Sequence, residues 1–382
     1  MRIVQANAVF DPTAKTPAEL LAMYHTLTEW SVAVAEAGAT VSVVQRFRSA
    51  GRIEQDGIPY EFVSDADRPW LSTKAAPAEF IRAIAQQSPD VVHVNGLIFP
   101  ALVAGIRAAV GPRTAIVVQH HGGDFPIRGS GIIGMFQRRD WRRGLSAADA
   151  LSFTAREQVQ PWQSAGVIGN QRVLEIIEAG TTIRRVARER ARAALAVSGS
   201  PVILWVGRLT TNKDPLAVLD GLERALPQMP GSQVLMVFGD DTLLESVEQR
   251  VRDSEVLRAA VTLHGRIAHD EMPNFYSAAD IFVSGSDSEG SGYALIEAMS
   301  SGVVPVVTDI PSFRSVAGDC GQRWAAGDAS ALANALLTAA KDLETARGAV
   351  AERFDRVLSW GAIAKRTVDE YASVLRDKPG HP

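Results

Sequence analysis

The chain has little cysteine and little net charge. Cys320 is the only cysteine in 382 residues, which excludes an internal disulfide framework and a metal cluster held by several cysteines. A reducing compartment is therefore expected. The formal net charge of -4 at pH 7 gives no reason to expect a nucleic-acid partner.

Long apolar runs are also missing from the sequence. No window approaches the roughly 18 to 20 apolar residues that a membrane-spanning helix needs. The opening MRIVQANAVF has a polar residue at position 5, so it lacks the apolar core of a signal peptide and is better interpreted as a buried strand. We predict a cytoplasmic protein, and peripheral contact with the inner face of the membrane stays open. Nothing in the sequence indicates an oligomeric state.

What the sequence does contain is an alternation of short apolar runs and helical patterns, which is typical of βαβ units around parallel sheets. The strand candidates of the first half are RIVQAN, TVSVVQ, DVVHVN, TAIVVQHH and ALSFTA. Those of the second half are PVILWVG, QVLMVFGD, VTLHG, DIFVSGS and VVPVVT. The predicted fold class is α/β, and the length favours two doubly wound domains.

The stretch RVLEIIEAGTTIRRVARERARAALAVSGSP interrupts this alternation. It begins as a strand, passes through Gly180, and continues as a basic helix whose arginines we expect in water. We place the domain boundary here, with domains over residues 1–180 and 181–358 and a final helix over 359–382. Ligands of such sheets bind at the carboxyl ends of the strands, so the expected site is the cleft between the domains.

Two cations follow a strand in LWVGRLTTNKDP. Gly207 allows the backbone to turn, Arg208 and Lys213 come next, and Pro215 begins a helix. A guanidinium and an ammonium at a strand end suit a diphosphate. The alternative is a local ion pair of either cation with Asp214.

A glycine-rich turn follows another strand in SDSEGSGYALIEAM. Gly290, Ser291 and Gly292 lead into a helix whose first amides and dipole can bind an anion. Glu289 precedes this anion site, so it suits sugar hydroxyls or a developing positive charge. Glu297 on the helix suits a ribose diol, although both glutamates could instead be solvated charges.

Histidines end a strand of the first half in VVQHHGGD. His120 suits the position of an acceptor or of the transferred group, and a structural loop histidine is the alternative. Zinc is a weaker interpretation, because adjacent histidines diverge and no third ligand follows at a metal spacing. We predict no metal site. Asn95, His121 and Asp124 are the acceptor-side candidates.

Two further stretches have an open interpretation. GSGIIG at residues 129–134 satisfies the dinucleotide pattern, but GGDFPIR separates it from the preceding strand, so we predict a flexible loop. MFQRRDWRRG at residues 135–144 mixes cations with Phe136 and Trp141, which fits either a solvated helix face or an anionic membrane surface.

Taken together, these residues resemble the family-4 retaining glycosyltransferases, whose GT-B fold has two Rossmann-like domains facing across a cleft. Glu289 and Glu297 match the family's E-x7-E arrangement, and Arg208 with Lys213 matches G-R-x4-K. Further matches are HGRI before YSAADIFVSGS, and the closing SWGAIAKRTVDEYASVL. The resemblance covers the second half densely and the first half loosely.

The resemblance implies transfer of a hexosyl group from a UDP-, GDP- or ADP-sugar to a glycan, lipid-linked or small-molecule acceptor, with retention and without a bound metal or cofactor. Arg208 and Lys213 would bind the diphosphate and stabilise the leaving group. Glu289, with the amides of 290–292, would contact the donor sugar, and Glu297 the ribose.

The remaining implications concern the base, the acceptor and the final helix. The backbone around Arg266 and Ile267 would lie against the base, and His120 would lie near the reacting centre. Residues 1–180 would form the acceptor side and residues 181–358 the nucleotide-sugar side. The helix over 359–382 would cross back onto the first domain.

Three stretches depart from the family's pattern. NAVFDPTAKTPAE replaces a glycine-rich loop, Ser291 replaces an aromatic residue, and IEAGTTI replaces a Pro-Asn-Gly turn. Two other functions therefore stay open, namely a catalytically silent nucleotide-sugar binder and a sugar phosphorylase or epimerase on the same fold.

Overall fold

The structure, a computed structural model, describes residues 1–64, 69–122, 131–239 and 241–379. The chain divides into two compact units. Unit 1 comprises Met1–Ala179 with Trp360–Pro382, and unit 2 comprises Gly180–Ser359. Each unit has a sheet of mainly parallel strands with helices on both faces, so the predicted class of two doubly wound α/β domains is confirmed.

Unit 1 contains an eight-stranded sheet in the order β3-β4-β2-β1-β5-β6-β7-β8, in which β3 alone pairs antiparallel among the described residues. Its strands are β1 (Arg2–Asn7), β2 (Thr40–Arg46), β3 (Gly51–Gln55), β4 (Ile58–Val63), β5 (Val91–Asn95), β6 (Ala115–Gln119), β7 (Ala150–Phe153) and β8 (Arg172–Glu175).

Two layers of helices cover this sheet. The helices of unit 1 are α1 (Pro17–Met23), α2 (His25–Glu36), α3 (Ala78–Gln86), α4 (Pro100–Val110), α5 (Gly131–Leu145), α6 (Gln160–Ser164) and α16 (Trp360–Arg376). Helices α3, α4 and α5 pack on one face together with Val4, and α2 and α16 pack on the other together with Ile3. Neighbouring residues of β1 thus serve opposite cores, as expected for a strand buried on both faces.

Unit 2 contains a six-stranded parallel sheet in the order β11-β10-β9-β12-β13-β14. Its strands are β9 (Val202–Gly207), β10 (Gln233–Phe238), β11 (Val261–Gly265), β12 (Ile281–Ser284), β13 (Val304–Thr308) and β14 (Gln322–Trp324). The helices are α7 (Arg188–Ala194), α8 (Pro215–Ala225), α9 (Leu244–Arg252), α10 (Glu255–Ala260), α11 (Met272–Ala278), α12 (Tyr293–Ser300), α13 (Pro311–Ala317), α14 (Ala329–Ala339) and α15 (Leu343–Arg353).

Two local predictions were wrong. Residues 131–134, expected in a loop, begin helix α5. The basic segment is helical only over Arg188–Ala194, and its arginines are not simply solvated. Arg188 and Arg192, together with Arg347, form ion pairs with Asp280, whose side chain is 1% exposed. A buried carboxylate is costly unless cations pair with it, which explains why this helix packs inward.

The strand order reverses once in each sheet. In unit 1 the reversal lies between β1 and β5, and in unit 2 between β9 and β12. In doubly wound sheets the crevice at such a reversal, beyond the carboxyl ends of the strands, is where ligands bind. The fold alone therefore indicates the end of β9 and the end of β12 as one candidate site.

Candidate functional site

A cavity of about 490 Å³ lies at the strand reversal of unit 2. The turn after β9 contributes Arg208 and Lys213 to its lining, and the segment after β12 contributes Glu289 and Gly292. The other predicted donor-side residues that line it are Arg266, Ile267 and Glu297. The structure therefore brings seven of the predicted residues around one cavity within a single unit.

Lys213 and Glu289 form an ion pair in this cavity, between Nζ and Oε1. Their side chains are 20% and 14% exposed, so the pair is only partly screened by water. Asp214, the partner that local sequence suggested, has another role. Its carboxylate caps helix α8 by accepting a hydrogen bond from the amide of Ala217 at 3.2 Å. Arg208 is exposed and lines the same cavity.

The turn before α12 needs glycine at position 292. Gly292 has φ +74, and a Cβ there would lie 2.6 Å from a ring carbon of Phe313. Gly292 is also the N-cap of α12 and provides no side chain to cap it. The first turn of α12 therefore lies at the cavity, which Gly292, Tyr293 and Ala294 line. Ser291 is 1% exposed, and Gly290 immediately precedes it in the same turn.

Glu297 is held from two sides. The hydroxyl of Tyr276 donates a hydrogen bond of 2.6 Å to Oε2, and Nε2 of His269 lies 3.7 Å from Oε1. Burial and the neighbouring carboxylate together raise the pKa of Tyr276 well above its ordinary value, so the phenol keeps its proton. One carboxylate oxygen is thus fixed by a buried donor, and the other faces a half-exposed imidazole.

Arg266 links the ends of β10 and β11. Its Nη2 donates a hydrogen bond of 2.5 Å to the carbonyl oxygen of Gly239. Because Arg266 is exposed and Ile267 lines the cavity, this part of the rim combines an apolar side chain with a guanidinium plane. The contact of this segment with a base stays a prediction.

In unit 1, His120 is a buried, neutral histidine. It is 8% exposed, and its ring packs against Phe153 and Trp162 at centroid distances of 5.0 and 5.8 Å. Burial lowers its pKa to about 4. The amide of Gly122 donates a hydrogen bond to Nδ1 at 3.2 Å, so the proton of the neutral ring is on Nε2.

His121 belongs to a chain of polar groups at the strand reversal of unit 1. Its Nε2 lies 3.0 Å from Oδ1 of Asn95, and the same oxygen lies 2.9 Å from Nε2 of His93. Tyr371 of α16 contacts Nδ1 of His93, and Glu178 forms an ion pair with Nδ1 of His121. We define these five residues as the strand-end network.

The hydrogen bonds of the strand-end network fix its protonation. Asn95 Oδ1 can only accept, so both histidines carry a proton on Nε2. Burial lowers the pKa of His93 to about 4, and its Nδ1 therefore accepts from the hydroxyl of Tyr371. For His121, burial disfavours the charged form, but the carboxylate of Glu178 outweighs it and raises the pKa. The carboxylate of Glu178, whose side chain is 6% exposed, thus stabilises the protonated form of His121.

The structure therefore brings Asn95 and His121 together and places His120 beside them, whereas Asp124 lies outside the described residues. No motif in the sequence indicates a role for Glu178, Tyr276 or His269. Within the described ranges, no group of three or more metal-binding side chains is found. Among the residues that the structure describes, no helix has both the length and the apolar character to cross a membrane.

Comparison with protein-family models gives two matches. The model described as "Glycosyl transferases group 1" matches residues 200–342, and the "Glycosyl transferase 4-like domain" matches residues 23–176. The first model covers the cavity of unit 2, and the second covers most of unit 1. Together they span the greater part of the chain.

Curated relatives and solved structures are consistent with the two family models. A GDP-mannose:cellobiosyl-diphosphopolyprenol alpha-mannosyltransferase of Xanthomonas campestris is 28% identical over 306 residues, covering 76% of each chain. A phosphatidyl-myo-inositol mannosyltransferase of Mycobacterium leprae is 27% identical over 354 residues, 89% of this chain and 87% of its own. Sucrose-phosphate synthase from Thermosynechococcus elongatus is similar in structure, with TM-score 0.71, 21% identity and coverage of 98% and 99%.

A second solved structure, Anabaena HepE in complex with UDP and glucose, has TM-score 0.68 and 17% identity, and covers 98% of this chain and all of its own. At these identities, the two structures establish the fold. The family models, the curated relatives and the shared fold all indicate the same kind of protein. The chain belongs to the group 1 glycosyltransferases, family 4, with the GT-B fold.

Proposed function

We propose that this glycosyltransferase moves a hexosyl group from a nucleotide-diphosphate sugar to its acceptor with retention of configuration. The observation that carries the proposal is the Lys213–Glu289 ion pair at the strand reversal of unit 2. It joins a cation suited to diphosphate and a carboxylate suited to sugar hydroxyls in one cavity. A donor molecule offers both kinds of partner at adjacent positions.

Each part of the donor has a proposed partner in the cavity, beginning with the diphosphate. Arg208, Lys213 and the first amides of α12 bind the diphosphate and stabilise the charge that develops on the leaving phosphate. When the donor binds, Glu289 gives up its ion pair with Lys213 and accepts hydrogen bonds from hydroxyls of the sugar. Glu297, oriented by Tyr276, accepts hydrogen bonds from the ribose, and the segment at Arg266 and Ile267 contacts the base.

The proposed transfer step needs no further group. The bond between the anomeric carbon and the phosphate oxygen breaks, and the acceptor oxygen forms its bond to the same face of that carbon. The electron pair of the broken bond leaves with the phosphate oxygen, and the departing phosphate takes the proton of the acceptor hydroxyl. His120 is assigned to the acceptor side as a neutral ring that donates through Nε2, with Asn95 and His121 beside it.

We infer that GDP-mannose is the first donor to test, since the relatives from Xanthomonas and Mycobacterium are both mannosyltransferases by name. Their names specify a cellobiosyl-diphosphopolyprenol and a phosphatidyl-myo-inositol, which supports a lipid-linked acceptor for this chain as well. The cytoplasmic location stays a prediction.

The test is a thermal-shift and calorimetric titration of the pure protein with GDP-mannose, UDP-glucose and ADP-glucose, followed by assays of donor hydrolysis. We expect one donor to bind and to be hydrolysed slowly without an acceptor. Glu255→Gln, an exposed carboxylate on α10 outside the cavity, is the matched control for variants of Glu289.

The opposing outcomes are distinct. If no nucleotide sugar binds, the proposal is wrong. Tight binding without transfer across a broad acceptor screen would favour a silent binder, whereas phosphate-dependent cleavage or epimerisation of the donor would favour the other enzyme classes on this fold.

A further inference from the structure

Large apolar side chains are exposed mainly on unit 1. Within the described ranges, seven of the eight exposed large apolar residues belong to this unit, and the eighth is Tyr293 at the cavity of unit 2. Five of the seven belong to the layer of α3, α4 and α5. They are Trp70 (68% exposed), Ile98 (40%), Ile133 (72%), Met135 (56%) and Phe136 (55%). We define these five residues as the apolar edge.

The apolar edge lies at one end of the sheet. Trp70 follows β4, Ile98 follows β5, and the other three residues are in the first two turns of α5, which follows β6. A helix that connects parallel strands begins at the carboxyl end of the strand before it. All five side chains therefore belong to the carboxyl edge of the unit 1 sheet, the same edge as His120 and His121.

The segments that carry the apolar edge are in contact with one another. The amide of Ala101 in α4 donates a hydrogen bond of 3.4 Å to the carbonyl of Thr73, three residues after Trp70. A cavity of about 520 Å³ lies among these segments, and its lining includes Lys74, Pro100 and Arg143. The surface is thus continuous from the segment at Trp70 through α4 to α5.

Packing fixes which side of α5 faces outward. Trp141 and Leu145 are buried in the core, and Gly144 lies so close to α4 that a Cβ would be 2.4 Å from the carbonyl oxygen of Pro100. The opposite side of α5 is therefore exposed. Ile133, Phe136, Arg139 and Arg143 follow one another at helical spacing on that side, so apolar and cationic side chains share one stripe.

The charge of this stripe indicates the partner. Helix α5 carries four arginines and one acidic residue, Asp140, and Lys74 is exposed beside it. Scattered apolar residues on a surface are ordinary, but apolar side chains clustered with cations on a helix face are typical of contact with anionic lipid. In a symmetric contact between two copies, the same patch would face itself and bring the arginines together. Repulsion therefore disfavours a second copy as the occupant.

We propose that the apolar edge and the arginines of α5 dock this protein onto a bilayer containing anionic lipids. Phe136, Ile133 and Trp70 enter the headgroup and acyl boundary, while Arg139, Arg142 and Arg143 contact lipid phosphates. The docking surface is independent of the transfer reaction. It brings the end of β6 to the membrane, where a lipid-linked acceptor would be found.

Vesicle flotation with the full chain tests the proposal. We expect binding to phosphatidylcholine vesicles that contain phosphatidylglycerol, weaker binding as salt is raised, and little binding to phosphatidylcholine alone. The variant R139Q/R142Q/R143Q should bind anionic vesicles about 100-fold more weakly, because each cation near an anionic surface contributes about fivefold. I133S/F136S should bind about tenfold or more weakly through loss of apolar burial.

A matched control distinguishes loss of the docking surface from a change in the net charge of the protein. R190Q/R252Q/R258Q removes three exposed arginines from unit 2 and should bind vesicles as the native chain does. The substituted side chains are exposed in every variant, so thermal melting should stay unchanged. Equal binding by all variants, or no binding of the native chain, overturns the proposal. Self-association that F136S abolishes would instead identify the edge as an interface between copies. None of these measurements involves donor, so their failure leaves the transferase proposal standing.

Discussion

The two units use the same sheet plan to build opposite electrostatic environments at their strand reversals. In unit 2, the carboxyl ends of β9 and β12 carry partly exposed ions around a cavity, and Lys213 and Glu289 pair with each other. In unit 1, the ends of β5 and β6 carry the strand-end network, in which each ring nitrogen has a partner; His93 and Asn95 are buried, whereas the side chain of His121 is 36% exposed. One site has ions that a ligand can separate, whereas the other is fixed before any ligand arrives.

The difference shows that position in a fold and chemistry at that position are separate properties. The reversal of strand order creates a crevice in both sheets. Only burial and partner choice decide whether the groups there are exchangeable ions or a fixed network. Variants that affect one unit and spare the other test this contrast.

The largest effect is expected from Glu289→Gln. The amide keeps the shape of the side chain but loses the charge that we assign to the donor sugar, and charge-assisted hydrogen bonds contribute about 1.5–3 kcal/mol. Transfer should therefore fall by about one to two decades while donor affinity changes little. Steady-state kinetics measure kcat and KM separately, with Glu255→Gln as the control. Unchanged kcat would remove Glu289 from the reaction.

An acid-dependent loss of stability is expected from unit 1. The folded pKa of His120 is about 4, below its ordinary value of about 6.5, so folding favours the neutral ring. This contribution is complete above pH 6.5 and is lost as pH falls from about 6.5 toward about 4. At pH 5 the loss amounts to about 2 kcal/mol.

Denaturant unfolding at pH 7 and pH 5 measures this contribution. His120→Gln should show a smaller difference between the two pH values than the native chain. His269→Gln is the control, since His269 in unit 2 is 56% exposed. If the free energy of unfolding falls by the same amount between pH 7 and pH 5 in the native chain and in His120→Gln, burial does not hold His120 neutral.

Arg208→Ala should weaken donor binding about tenfold, the low end of the value of a hydrogen bond to a charged group. Lysine should restore only part of the affinity, because it cannot bind a diphosphate in the bidentate manner of a guanidinium. Calorimetry with the donor measures both variants. Arg258→Gln, an exposed arginine on α10, provides the matched control, and equal affinity in Arg208→Ala would exclude a diphosphate contact.

The smallest effect distinguishes two buried tyrosines. Tyr276 orients Glu297 in unit 2, and Tyr371 orients His93 in unit 1. Each phenylalanine variant loses one hydrogen bond, worth about 1 kcal/mol. Tyr276→Phe should raise the donor dissociation constant about fivefold. Tyr371→Phe should lower the free energy of unfolding and leave donor affinity unchanged, and equal effects of the two variants on donor affinity would contradict the contrast.

Much of the fold could be predicted because apolar runs and helical periods are local properties. The hairpin of β3 and β4 was missed, although Asp56 and Gly57 form its two-residue turn with φ of 54 and 75. An Asp-Gly pair between alternating residues is a strong signal for such a turn. Tyr24 interrupts the helical pattern over residues 17–37 and separates α1 from α2.

Less of the site could be predicted, because its partners are distant in sequence. Lys213 and Glu289 are 76 residues apart, and His93 and Tyr371 are 278 apart. The cations after β9 and the carboxylates near α12 were found because each follows a strand end, which is visible locally. Glu178 was missed because a lone glutamate reads as exposed, and only the folded chain shows that it is buried beside His121.

The ion pair of Lys213 and Glu289 has a consequence for product release. A nucleotide that has lost its sugar can still recruit Lys213, but it offers no hydroxyls to Glu289. The carboxylate, only 14% exposed, would then lose its ion pair with Lys213, and this loss is unfavourable for a charge with little access to water. Re-forming the ion pair therefore competes with the spent nucleotide. If Lys213 and Glu289 bind the donor as proposed, the same two residues would also favour release of the nucleotide that remains after transfer.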